Sequence, residues 1–466
     1  MTSMYRERAL QVRSAIALAA FAISTVIAMR QARADVVTDW NENTQKAIKT
    51  ANTAPALTGR VFAIVHAAVF DAVNGIERRY APCHVDFEAP HGDVSRRAAA
   101  IQAAYGALVK LFPSQKATFD AQRIASLSGI AESPPSQEDD SEENDAEDAE
   151  RIARGIAWGQ AVADDILAWR STDGLSVVFP PFVGGTGPGQ WRPAPPDFRT
   201  AVFQQIATMV PFAMPSPSSF RPPGPPALPS ARYASDFNEV KSLGSRVSSR
   251  RTAEQTQIAF FWDDNGGVQW NRVALAVAAQ HHNTLSENAR LLALLNIALA
   301  DAAIVAWDGK YHFSFWRPVT AIPLGDSDDN PLTEADPGWL PLRALTPAHQ
   351  EYPSAHSTNT GAAATVLAAF FGDNTPFSAK SDAAPGVVRT WTRFSDASLE
   401  VNDARVYFGI HFRSAVVDGR AAGEAVGNYA LAHVAQRARH PSDQTNHDHG
   451  TGEIGADGEI PGGGDD

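Results

Sequence analysis

No helix and no central strand can run through residues 179–229. The stretch reads PPFVGGTGPGQWRPAPP and, further on, FRPPGPPALP. Proline lacks the amide hydrogen that a helix or sheet ladder uses, and its ring clashes with the turn before it. The segment must therefore be extended loop. A loop of that length inside a folded chain is commonly functional or wraps the surface. It divides the chain into an N-terminal helical region at 35–178 and a C-terminal helical bundle at 230–437.

On both sides of the divider the apolar residues recur at helical spacing. The pattern predicts helices near Thr58–Arg78, Ser95–Leu111, Ala149–Arg170, Asn271–His282, Ser286–Trp307, Ala355–Phe371 and Phe408–Ala435. Thr284 and Glu287 form a capping-box start for the fifth. Strong strand alternation is absent and no fixed-period repeat is seen. The expected fold is all-α, built of packed helical bundles joined by the long Pro/Gly-rich loop. With 466 residues a large core, or two fused helical units, can form. The single cysteine, Cys83, excludes an internal disulfide and a cysteine-based metal site.

A formal net charge of −13 argues against nucleic acid and anionic membrane surfaces as partners. Part of that charge sits in segments with too little apolar surface to fold: an acidic insert at 131–150 and a tail at 438–466. At the other end, Arg6, Arg8 and Arg13 precede an apolar run from Ala15 to Met29, followed by Ala32-Arg33-Ala34. That order describes a secretory signal peptide, residues 1–34, cut after Ala34. The expectation is a secreted or periplasmic protein with no membrane span after cleavage; the sequence leaves a homodimer open.

Three clusters in the C-terminal half gather cations and hydrogen-bond donors. In the first, Lys310 and Arg317-Pro318 are seven residues apart, which puts them on one face if the helix continues; Pro318 marks its end. In the second, Pro353-Ser354-Ala355-His356 stands before an apolar helical run. Ser354 fits an N-cap, and a helix start is a ready anion site. The third sets Arg405 six residues before His411. Together they supply the donors and positive charge that a tetrahedral oxyanion needs.

The order and spacing of these clusters resemble the superfamily of vanadium-dependent haloperoxidases and type 2 phosphatidic acid phosphatases. The resemblance implies a haloperoxidase-like helical fold and a vanadate cofactor, with phosphate able to occupy the same site. It further implies that His411 ligates the metal, and that Lys310, Arg317, Ser354, the Ala355 amide and Arg405 bind the oxyanion. His356 would take a proton from hydrogen peroxide, and Lys310 would stabilise developing negative charge. Trp307 and His349 would shape a halide site. The implied reaction oxidises halide with hydrogen peroxide to a hypohalous acid equivalent, which a small organic acceptor then receives.

The chain departs from the family pattern at three positions. Ala355 replaces a glycine, Ala404 stands where a serine is common, and Ala415 stands where phosphatase members carry an aspartate that orients the histidine. Asp418, seven residues after His411, is not expected to reach it. Two alternatives follow: an acid phosphatase with His411 as nucleophile, and a non-catalytic oxyanion-binding protein. Asp263 or Asp264 is a candidate partner for one of the arginines. His66 and Asp71 are expected to be satisfied inside the bundle, and His281-His282 to cap a helix end.

Overall fold

The computed structural model describes residues 35–131 and 142–438. The expected signal peptide, the middle of the acidic insert and all of the tail after Ala438 lie outside the described residues.

Thirteen α-helices form the described part, with one small hairpin. The N-terminal half contains α1 (Val36–Thr50), α2 (Pro55–Glu77), α3 (Arg96–Leu111), α4 (Lys116–Ala131) and α5 (Glu142–Arg170). The C-terminal half contains α6 (Ala231–Leu243), α7 (Ala253–Phe261), α8 (Gly266–Gln280), α9 (Leu285–Phe313), α10 (Pro318–Ala321), α11 (Ala355–Phe371), α12 (Phe394–Tyr407) and α13 (Arg413–His433). Side-chain caps start many of them. Asp35, Ser95, Ser230 and Ser354 each accept from amides of the first turn, and Thr252 and Thr284 close full capping boxes.

Helix α9 is the axis of the molecule. It packs against α2 on one side and against α11 and α13 on the other. Nearly every residue from Leu291 to Lys310 is buried, as a helix that is apolar all round must be. By length and composition α2 and α9 could cross a membrane, but their most apolar stretches are 83% and 94% buried within the protein. One apolar core runs from Val37 to Ala435 through both halves, so the loop separates sequence regions that pack together.

The loop at 179–229 crosses the C-terminal half, touching it through paired backbone at Gln190–Phe315. It is anchored twice on α9. Asp301 accepts the amides of Phe212, Ala213 and Met214, and Arg221 forms a two-pronged pair with Asp308 at 2.6 and 2.7 Å.

Several expectations need correction. Residues 142–150, read as part of the acidic solvated insert, begin α5. Asp148 and Glu150 there pair with Arg151 and Arg154 at helical spacing, which offsets the low apolar content. Helix α9 continues six residues past Trp307. The last predicted helix starts at Arg413 rather than Phe408, because Gly409 takes φ 76° and breaks the chain there. Two short strands, Phe377–Lys380 and Val388–Trp391, pair antiparallel where no strand was expected.

Candidate active site

Lys310 lies in the last turn of α9, which stops when Ser314 adopts the left-handed conformation. Arg317 follows as the N-cap of α10. The two cations therefore occupy different elements, and the shared helix face does not form. Ser354 caps α11, with Ala355 and His356 as its first residues. Arg405 ends α12, and His411 sits in the turn before α13. The site is thus built at the ends of five helices.

These residues converge and are buried: Lys310, Arg317 and Ser354 at 0% exposure, Arg405 at 1% and His411 at 3%. Arg317 is the hub. Its Nε donates to the His349 carbonyl at 2.9 Å, and Nη1 donates to the Ile410 carbonyl at 2.7 Å. Nη1 also lies 3.1 Å from His411 Nε2, and Nη2 lies 2.9 Å from His349 Nδ1. Arg405 donates from Nη1 to the Trp262 carbonyl at 3.0 Å. Its buried Nε has no partner among the described residues.

Lys310 Nζ is directed at three carbonyls, those of Gln350, Glu351 and Pro353, at 2.9, 3.1 and 2.5 Å. An ammonium has three donors, so all are engaged. The lysine clamps the segment that delivers Ser354 and contributes charge to the site, rather than a spare hydrogen bond. Gly309 makes this approach possible: a Cβ there would stand 2.7 Å from the Pro353 ring.

Ser354 Oγ accepts from the Ser357 hydroxyl at 3.1 Å, which leaves its own proton free to donate elsewhere. The amides of Ala355 and His356 have no carbonyl one turn below them. The Ala355 methyl packs with the cluster containing Ile304 and Trp307.

Sequence reasoning missed Glu351. Its Oε1 lies 2.9 Å from His411 Nδ1 and accepts the Phe412 amide, also at 2.9 Å. A carboxylate beside the Ser354 motif was visible in the sequence, but its reach across sixty positions to His411 was not. Asp418 instead accepts from Tyr352 Oη and pairs with Arg232.

Asp263 pairs with Arg343 at 2.9 Å and lies 3.9 Å from Arg405, so the carboxylate does face an arginine of the site. Asp264 turns away to the Asp382 amide, while its carbonyl lies 3.3 Å from His356 Nε2. Trp307 and His349 stack obliquely with ring centroids 5.3 Å apart, and Phe203 from the long loop meets Trp307 edge-on.

The electrostatics follow from three cations shut away from water together. Burial, then Arg317, then Arg405 push the Lys310 ammonium well below its ordinary range. Burial lowers Arg317 to about 9 and Arg405 to about 10. The same burial and the same cations hold His349, His356 and His411 well below the usual imidazole value. Burial raises Glu351 to about 8, against the pull of Arg317. A bound anion offsets this mutual repulsion. The donor set fits a tetrahedral oxyanion: the unpartnered Arg405 Nε, the Ser354 hydroxyl and the start of α11 supply donors, and His411 Nε2 supplies a lone pair.

Away from the site, Asp71 accepts three amides, from Cys83, His84 and Val85. His66 bonds Asn41 through Nε2, but its Nδ1 has no partner among the described residues. His281 is the C-cap of α8.

Comparison with known proteins agrees with this fold. Residues 290–440 match the family model described as the second helical-bundle domain of VCPO. Vanadium chloroperoxidase of Curvularia inaequalis is 30% identical over 140 residues, a quarter of this chain and 22% of that protein's length. Among solved structures, one titled as the first bacterial vanadium-dependent iodoperoxidase superposes with a TM-score of 0.74 at 24% identity, covering 87% of this chain and 97% of its own. A bacterial vanadium-dependent chloroperoxidase, apo form, gives 0.63 at 18% identity over 81% of this chain and 92% of its own. Residues 290–440 thus resemble the second helical bundle of vanadium chloroperoxidase in sequence, and most of the chain shares the helical fold of bacterial vanadium-dependent haloperoxidases.

Proposed function

We propose that this protein is a vanadate-dependent haloperoxidase that oxidises halide with hydrogen peroxide to a hypohalous acid equivalent. One observation carries the reading: His411 presents an acceptor nitrogen inside a cluster of three buried cations. Arginine can only donate, so the 3.1 Å contact from Arg317 Nη1 requires a bare Nε2 on the imidazole. That is the form of histidine that ligates a metal. The names of the similar proteins support the same chemistry.

Arg317, Arg405, Ser354 and the first amides of α11 would hold vanadate, with His411 as its protein ligand. When bound, vanadate supplies a Lewis-acid centre that activates hydrogen peroxide toward halide. The residues of the chain do the rest. His356 Nε2 faces the Asp264 carbonyl, so Nε2 carries the ring proton and Nδ1 is the atom that accepts a proton from peroxide. Its lowered pKa keeps that atom unprotonated at neutral pH. The Lys310 charge stabilises negative charge developing nearby. Trp307, His349 and Phe203 form the aromatic wall against which halide and a small organic acceptor would be held.

A second reading has its own observation. A histidine nucleophile needs an orienting carboxylate, and Glu351 provides one, which keeps an acid phosphatase with His411 as nucleophile in play. The test is direct. Chelator-stripped protein is supplied with orthovanadate and assayed for bromination of a phenolic indicator with hydrogen peroxide. Vanadate-dependent bromination is the expected result. Hydrolysis of p-nitrophenyl phosphate that vanadate inhibits would replace the reading with the phosphatase, and anion binding with neither activity would leave a binding protein. We further propose export by cleavage after Ala34, to be tested by amino-terminal sequencing of protein from the culture or periplasm.

A further inference from the structure

Glu351 touches all three clusters. Its amide donates to the Phe315 carbonyl at 3.0 Å, beside Arg317. Its carbonyl receives Lys310 Nζ at 3.1 Å. Its carboxylate reaches the third cluster, where Oε1 accepts from both His411 Nδ1 and the Phe412 amide. The side chain is fully buried, and Oε2 has no partner among the described residues.

Two consecutive residues bonded to one oxygen leave the imidazole little freedom. The Phe412 amide fixes where Oε1 lies relative to the backbone, and the His411 ring must then turn Nδ1 toward it. On the opposite edge, Arg317 Nη1 is donor-only, so the ring proton belongs on Nδ1. We propose that Glu351 is a positioning residue that fixes His411 in the Nδ1–H tautomer and keeps its Nε2 lone pair bare on the Arg317 edge of the oxyanion site. A carboxyl oxygen that accepts from the back of a ligating histidine sets the ring's orientation and tautomer, with the acid neutral or ionised. Here it arrives from the segment before Ser354, whereas the stretch after His411 offers only Ala415 and the diverted Asp418. The inference rests on the reading of the site as an oxyanion site that uses His411.

Two measurements test it. First, protein labelled with 15N-histidine is examined without any anion by two-bond 1H–15N correlation, with His411→Gln identifying the signal. The expected pattern is a protonated Nδ1 and a bare Nε2; a protonated Nε2 overturns the proposal. Second, Glu351→Ala and Glu351→Gln are titrated with orthovanadate and with inorganic phosphate by calorimetry. Loss of such a partner weakens metal binding roughly 10- to 100-fold. Glu351→Ala should show that loss for vanadate, with a much smaller change for phosphate, which needs no ligating nitrogen. Glu351→Gln keeps an oxygen that accepts the same two N–H groups and should recover most of the affinity. Equal weakening of both anions, or no recovery with glutamine, would overturn the proposal. Unsubstituted protein that binds neither anion would instead remove the oxyanion site itself, whatever the tautomer.

Discussion

Replacing Gly423 by alanine tests whether the contact between α11 and α13 sets the geometry of the site. Helix α11 begins at Ala355, directly after Ser354, and α13 begins two residues after His411. The separation of these helices therefore fixes the distance from the hydroxyl and amide donors to the imidazole. They meet through glycine. A Cβ at 423 would lie 1.9 Å from the Thr358 carbonyl oxygen and 3.0 Å from the Ala362 amide nitrogen. A close carbon–oxygen contact is about 3.3 Å, so the helices must part locally by roughly 1.4 Å. The obstructing atoms are backbone, and no rotamer change can relieve them. Overpacking of this kind costs about 1–3 kcal/mol, and we expect the upper end. A misplacement near an ångström also lowers a catalysed rate by about a hundredfold. Guanidinium unfolding and orthovanadate titration measure the two effects. Gly129→Ala is the control, because a Cβ there would meet no heavy atom within 4 Å among the described residues outside its own helix turn. Gly423→Ala with an unchanged midpoint and unchanged vanadate affinity would refute the reasoning.

Three further outcomes are expected. His66 is buried and its pKa is lowered from 6.5 to about 3, so the folded state refuses a proton that the unfolded chain accepts below pH 6.5. Stability from this residue is unaffected above that pH and falls as pH drops toward 3, by about 2 kcal/mol at pH 5. His66→Gln should remove that part of the acid sensitivity in urea unfolding at pH 7 and 5; an identical pH dependence would contradict it. Arg221→Ala leaves Asp308 without its two-pronged partner and loosens the long loop from α9, so limited proteolysis within 179–229 should accelerate. An unchanged cleavage rate would show that the Asp301 anchor suffices. His356→Ala should abolish peroxide-dependent turnover while orthovanadate affinity stays within about tenfold, since the residue moves a proton and the cations hold the anion; unaffected turnover would remove its role.

Much of this arrangement was legible in the sequence because helices announce themselves locally. The span Ala355–Phe371 and the cap at Ser354 could be read from one stretch of text. Convergence of the cations was legible only through the spacing of three motifs. What the sequence hid was non-local. Nothing near Lys310 says that its three protons go to carbonyls forty positions away. Nothing near His411 says that its partner is Glu351, because that hydrogen bond exists only once the helix ends have met. Short helices such as α6 and α7 were missed for a related reason: they gain stability from packing rather than from a long periodic pattern. The Gly409 break was passed over because glycine inside an apolar stretch is tolerated in many helices.

Titrating the stripped protein with orthovanadate by calorimetry, alone and in competition with phosphate, addresses the joint action of these residues most directly. Binding at one site per chain is predicted, displaced by phosphate and strongly weakened in Arg405→Ala and His411→Ala. Heat indistinguishable from dilution, or binding that neither substitution alters, would contradict it.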